Sequence, residues 1–342
     1  MTNRECLTAV LNGQEPQRTP FSIYSWMIDD PTSARWQRAL DLGLGLSVDC
    51  RTVRHIEHGV QTISEKKEID GKQHAIQRKV TPVGTIQQVH VNWWLQEHYL
   101  KTPQDYKVMQ WVVEHTEVVP QYEEFQKAEA FAGDRGVVVI NSTRTPMMII
   151  NVDWAGTEQF CLDMALEVPE LFDLFEARKK LFEQETRLIA AGPGQFVRWG
   201  ENLAMDMYGP ARYERFLVSV YREMAPLLEK TGKRILVHYD GPLSVLAQNI
   251  AHAPFHVVES LTEPPEGDMM YDHCRRLWPD KVFWGNFNVG LYARPAEEIR
   301  QAVIDKRNRA GKRGFALEIS EDLPANWESA APIILDTLDK LG

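Results

Sequence analysis

The chain has 342 residues, 44% of them hydrophobic, enough to bury a large core in one big α/β domain or two ordinary ones. Its 38 basic residues face 48 acidic ones, a formal net charge of −10, which argues against a nucleic-acid surface or an anionic membrane as partner and points to small molecules or proteins. No apolar run approaches the ~20 residues of a membrane span. No long apolar segment follows Met1-Thr-Asn-Arg-Glu5 to act as a secretory signal, and Cys6, Cys50, Cys161 and Cys274 form no Cys-x-x-Cys pair, so a cytoplasmic protein with reduced thiols is expected.

Phe21-Ser-Ile-Tyr-Ser25 reads as a first strand, followed by a helix near Ser33 to Leu42 and a second strand, Gly45-Leu-Ser-Val-Asp-Cys50. From about His58 to Leu100 polar and apolar residues alternate, punctuated by Asp70-Gly71 and Pro82-Val-Gly84, which are hairpin signals. Six further strand-like runs follow: Gly136–Asn141, Gln195–Gly200, Ile235–His238, Phe255–Glu259, Val282–Gly285 and Phe315–Ile319. Amphipathic helices lie between the later ones, such as Pro210 to Lys230 and Pro295 to Asn308, the second with proline at a first-turn position. Eight strands alternating with helices predict an α/β fold, a (β/α)8 TIM barrel in a single domain over 1–342, with an antiparallel hairpin insertion after the second strand at about 58–100. A doubly wound open sheet is the alternative, because periodicity does not show closure.

In such a barrel the active site sits at the carboxyl ends of the strands. Those ends carry Tyr24 and Trp26, Arg51 and Arg54, Asn141 and Arg144, Trp199 and Glu201, His238 and Asp240, Glu259 and Glu263, Asn286 and Asn288, and Glu318 and Glu321. Carboxylates brought together raise one another's pKa unless a cation or a shared proton separates them. Each could instead cap the start of the next helix. In Arg234-Ile-Leu-Val-His-Tyr-Asp-Gly241, His238 and Asp240 are two apart on a strand and point to one side, a geometry that suits a metal ion, a proton-transfer pair, or a packed histidine held by its neighbour.

Arg4-Glu-Cys-Leu-Thr-Ala-Val-Leu-Asn-Gly-Gln-Glu-Pro-Gln-Arg-Thr-Pro20, Thr81-Pro-Val-Gly-Thr85, Val237-His-Tyr-Asp-Gly241, Trp284-Gly-Asn286 and Gly314-Phe-Ala-Leu-Glu318 followed by Leu323-Pro324 come in an order and spacing that resembles the uroporphyrinogen decarboxylase superfamily over essentially the whole chain. Gln17 stands where that family usually has aspartate. The resemblance implies a (β/α)8 barrel and either porphyrinogen decarboxylation or corrinoid-dependent methyl transfer. The family's decarboxylases carry an arginine-rich segment after the first strand; here that place reads Ser22-Ile-Tyr-Ser-Trp-Met-Ile-Asp-Asp30, without arginine. Thiol-using methyltransferases of the family hold zinc with His-x-Cys and a later cysteine. This chain keeps the histidine as His238 and puts Asp240 and Glu321 at the cysteine positions.

That departure from the family pattern fits either a lost metal or a retuned one; the retuned reading is a zinc site of hard ligands, in the O-demethylase-like branch. A glutamate some three dozen residues before the histidine is part of that branch's pattern, and Glu201 stands close to this spacing. His238 and Glu201 are the first-ranked ligands and catalytic residues, with Asp240 and Glu321 as candidates for the third. The expected reaction moves a methyl group between a small O-methylated, methoxylated aromatic substrate and a corrinoid (cobalamin) carried by a partner protein. Tyr24, Trp26, Trp154, Trp199, Tyr239 and Trp284 offer flat walls for an aromatic substrate or the corrinoid ring, although core packing is the commoner fate of tryptophan. Arg54 or Arg51 could hold a substrate carboxylate, and Asn141, Glu259 and Asn286 complete the expected substrate-binding set. A metal-free decarboxylase of a small or porphyrin-like carboxylic acid is the alternative, and a barrel that only binds a ligand is a third reading. Monomer and homodimer both remain open.

Overall fold

Strands covered on both faces in a parallel sheet are near-continuous apolar runs, and the eight such runs of this chain form a closed, all-parallel barrel. The computed structural model describes residues 1–203 and 205–342, apart from the side chains of 205–207. The barrel strands are Phe21–Tyr24, Gly45–Cys50, Gly136–Asn141, Phe196–Trp199, Arg234–His238, Val257–Leu261, Val282–Asn286 and Phe315–Glu318. The eighth pairs with the first in register Phe21↔Leu317, which closes the sheet and excludes the open doubly wound alternative.

The chain divides into two compact units, one of 1–52, 121–142 and 190–342, the other of 53–120 and 143–189. The first holds the barrel. Its interior follows the two-residue strand period: Val137, Val139, Phe196, Leu236, Val257, Val282, Trp284 and Ala316 share one apolar cluster with Leu7, Val10 and Leu11 of the helix Asn3–Leu11. That helix starts in a reciprocal capping box between Thr2 and Glu5. Two positions further along the same phase, the inward residues turn polar: Arg198 after Phe196, His238 after Leu236, Glu259 after Val257, Asn286 after Trp284 and Glu318 after Ala316. An apolar layer thus lies under a polar one at the carboxyl ends.

The helices differ in detail from their sequence signatures. Gly209 (φ 59°, ψ 171°) breaks the helix around Pro210, which then runs through a widened π turn at Glu214–Val218 into Ser219–Glu229. Pro295 is extended (φ −54°, ψ 150°) and stands just before Ala296–Ala310 rather than inside its first turn. Among the described residues, no helix is long and apolar enough to cross a membrane.

The second unit contains a four-stranded antiparallel sheet of Gln61–Ile69, Lys72–Thr81, Gly84–Val91 and Trp94–Glu97. The expected hairpin at Asp70-Gly71 forms with both residues at positive φ (50° and 70°), the condition of a tight hairpin turn whose twist matches its strands. Asn92-Trp93 does the same (45° and 65°) and adds the short fourth strand that the sequence does not announce. A separate ribbon pairs Val53–Glu57 with Thr116–Pro120, so this unit takes in more chain than the predicted 58–100 excursion.

Candidate active site

The polar layer of the barrel is organised around Arg198, a buried cation on the fourth strand. Its Nη1 donates to Asp49 Oδ1 at 2.6 Å and Asn141 Oδ1 at 2.9 Å, and its Nη2 donates to Glu259 and, at 3.4 Å, to Ser47 Oγ. Its guanidinium carbon lies 5.2 Å from the centre of the Tyr24 ring. Glu259, fully buried, carries the network to the fifth strand, where its Oε2 is 3.1 Å from His238 Nδ1. Burial raises the Glu259 carboxyl, but Arg198 and His238 outweigh it and hold the group below its ordinary value.

With Nδ1 taken by Glu259, the imidazole turns Nε2 outward to a position 3.2 Å from Glu321 Oε1. His238, Asp240 and Glu321 each offer a donor atom, and these atoms lie within 4.8 Å of one another. Glu321 Oε1 is buried and faces the His238 imidazole as an ion-pair partner without good hydrogen-bond geometry, an arrangement in which a cation would serve both groups. Burial lowers the His238 pKa, but hydrogen bonds and charge from Glu259 and Glu321 push it up to about 10. Burial and the Glu321 charge raise Asp240. The cluster thus calls for positive charge, and a proton on His238 supplies it when nothing else does. The imidazole and two carboxylates fit a zinc ion on their donor chemistry, their convergence and the carboxylate behind the imidazole.

Two strained residues flank this group. Ser260 (φ 59°) follows Glu259 where the register shifts in a β-bulge, and Ser320 (φ 128°) precedes Glu321. Positive φ at non-glycine residues concentrates where side chains must be aimed. Ser260 Oγ also meets the Tyr24 hydroxyl at 2.9 Å. Glu318 lies beside them, fully buried; burial, then the Glu259 charge, raise its pKa well above the ordinary carboxylate value.

The other expected site residues divide between this layer and elsewhere. Asn141 is in the layer, bound to Arg198, and Tyr24 is in it through Ser260. Trp26 is 61% exposed and stacks on Tyr24 with ring centres 5.6 Å apart. Asn286 donates to Thr262 Oγ1 at 3.1 Å. Trp284 is buried in the apolar layer and donates to Ser22 Oγ at 2.9 Å. Trp199 and Tyr239 lie on the opposite phase of their strands from Arg198 and His238: Trp199 stacks on Tyr221 at 4.9 Å, and the Tyr239 hydroxyl meets those of Tyr213 and Tyr221 at 3.0 and 2.9 Å. Glu201, also buried, accepts from the Tyr221 hydroxyl at 3.1 Å and is outside the His238 donor group. Arg54 is exposed on the ribbon of the second unit. The sequence reading omitted Arg198 and Asp49. The usable signal was a lone arginine in Phe-Val-Arg-Trp, two positions beyond Phe196 on the inward phase.

No family model and no curated protein matches the chain. Among solved structures, a methyltransferase from Methanosarcina mazei is similar over 100% of this chain and 99% of its own, with TM-score 0.62 and 12% identity. A B12-independent methionine synthase from a Shewanella species (10% identity, 89% of this chain and 84% of that one, TM-score 0.42) is a weaker likeness. A glycoside hydrolase family 5 enzyme from Prevotella bryantii B14 (11% identity, 99% of each chain, TM-score 0.43) stands at a similar level. At these identities the first likeness shows the fold, a (β/α)8 barrel, and the other two carry no argument.

Proposed function

We propose that this chain is a zinc-dependent methyltransferase that moves a methyl group between a small O-methylated, methoxylated aromatic substrate and a corrinoid carried by a partner protein. The observation that carries the reading is the convergence of His238, Asp240 and Glu321 with Glu259 behind the imidazole. Hard oxygen and imidazole ligands suit an oxygen-bound methyl group better than the thiolate sets of thiol-methylating relatives. Zinc, when bound there, supplies Lewis acidity that makes an ether oxygen a better leaving group. His238, Asp240 and Glu321 are assigned as its ligands. Glu201, engaged by Tyr221, is assigned to orienting the tyrosine cluster rather than to the metal.

The remaining roles belong to the chain itself. Glu259 accepts the Nδ1 proton of His238 and so fixes which nitrogen faces the donor group, while Arg198 offsets the charge of Glu259 and Asp49. Trp26, exposed and stacked on Tyr24, offers a flat apolar face to an aromatic ring. The test mixes the purified protein with a cobalt(I) corrinoid protein and a panel of methoxylated aromatics and follows the corrinoid spectrum. Methylation that requires His238 supports the reading. No methylation with any donor, together with metal-free release of CO2 from a small carboxylic acid, would establish the decarboxylase alternative in its place.

A further inference from the structure

The second unit carries a half-open cavity of about 360 Å³, within the roughly 300–1,000 Å³ typical of small-molecule sites. Met109, Val112, Ile149 and Leu181 supply apolar wall, and Tyr99 and Trp154 add aromatic surface. Arg178 also lines it, a guanidinium 2% exposed. Burying a cation this deeply is costly unless its donors are met. Its Nη2 donates to Thr143 Oγ1 and lies 3.4 Å from Glu185 Oε2, yet its Nη1 is buried and has no hydrogen-bond partner among the described residues.

The charges around the cavity show what is missing. Lys79 is paired with Glu57 at 2.6 Å and Arg144 with Asp153 at 3.3 Å, so those four groups answer one another. Glu185 is committed several times over: it accepts from the Thr143 backbone N–H and hydroxyl, both at 2.7 Å, and sits 3.4 Å from His55 Nε2 as well as facing Arg178. Glu185 is thus within ion-pair distance of both Arg178 and His55, while Asp153 reaches Arg178 only through its longer-range charge. The unit offers apolar walls wide enough for a ring and one buried cationic donor still lacking an acceptor.

We propose that this cavity binds an aryl carboxylate, its ring against Val112, Ile149 and Leu181 and one carboxylate oxygen accepting from Arg178 Nη1. A charge-assisted hydrogen bond to a buried guanidinium is roughly twice as strong as a neutral one, so the site selects the anion over its neutral isostere. The inference concerns the second unit alone and stands whether or not methyl transfer is the reaction.

Benzoate is the probe, with benzamide as its uncharged counterpart, titrated into the full chain by isothermal calorimetry. Benzoate binding at one per chain and millimolar or tighter affinity is expected, with benzamide weaker by about tenfold or more. Val112→Phe, which fills the apolar wall, abolishes the benzoate heat, and Arg178→Gln weakens it at least about tenfold if that variant folds by circular dichroism. Absence of any benzoate heat in the wild type overturns the proposal. So does benzoate affinity unchanged in folded Val112→Phe, or benzamide binding as tightly as benzoate.

Discussion

Replacing Glu259 with glutamine tests how the site is held together, because Glu259 joins the buried cation to the candidate metal ligand. The carboxylate is fully buried, accepts from Arg198 Nη2, and faces His238 Nδ1 at 3.1 Å. Glutamine keeps the shape and one acceptor oxygen but removes the charge. Breaking a buried ion pair costs about 3–5 kcal/mol when the partner is stranded. Arg198 is not stranded, since Asp49 remains 2.6 Å away, so a loss nearer about 2 kcal/mol of folding stability is expected. The larger consequence is at the imidazole, whose orientation and basicity Glu259 sets; loss of such an outer partner lowers metal affinity about 10–100-fold. Zinc competition against a chromophoric chelator measures this, with circular dichroism and urea unfolding confirming the fold. Zinc affinity within about twofold of wild type in a folded Glu259→Gln protein would refute the reasoning, since Glu259 would then have no part in presenting His238.

Two further perturbations probe the scaffold. Burial raises the Glu185 carboxyl, but His55, Arg178 and the Thr143 N–H outweigh it and bring it from 4.5 to about 2. A depressed carboxyl contributes stability that is whole above its unfolded value and is lost as pH falls through its folded value, here on the order of 3 kcal/mol across that interval. Urea unfolding as a function of pH reads this, and Glu185→Gln should be less stable at neutral pH and lack that acid dependence. A wild-type stability flat across the interval contradicts the assignment. Gly136→Ala would place a Cβ 2.1 Å from the Leu46 carbonyl oxygen of the neighbouring barrel strand. Because backbone cannot yield cheaply inside a closed barrel, a loss of about 1–3 kcal/mol or more is expected in thermal unfolding, and an unchanged midpoint would count against this close approach.

The barrel was legible in the sequence because its strands are buried on both faces. Val137-Val-Val-Ile140 and Ile235-Leu-Val237 stand out as short apolar runs, and all eight predicted strands form. The Asp70-Gly71 hairpin was legible for a local reason, a turn that needs two positive φ values. The Val53–Glu57 ribbon was not, since its partner Thr116–Pro120 lies some sixty residues on and no local pattern marks so distant a pairing. At the site, His238 and Asp240 could be read from their two-residue spacing. Arg198 could not be picked out by type, because an arginine in an apolar strand reads as an interruption until the inward phase and its partners Asp49 and Glu259 are known. Tyr239 and Trp199 point away from the layer that their neighbours on the strand enter, a distinction that strand ends alone do not make.

The central claim is that His238, Asp240 and Glu321 together hold a zinc ion, and the most direct measurement is the metal content of the purified protein, wild type against His238→Ala. The account predicts zinc near one per chain in the wild type and its loss in the folded variant. Zinc retained at wild-type level after the histidine is removed, or a wild-type protein that takes up no zinc when the ion is supplied, would contradict it.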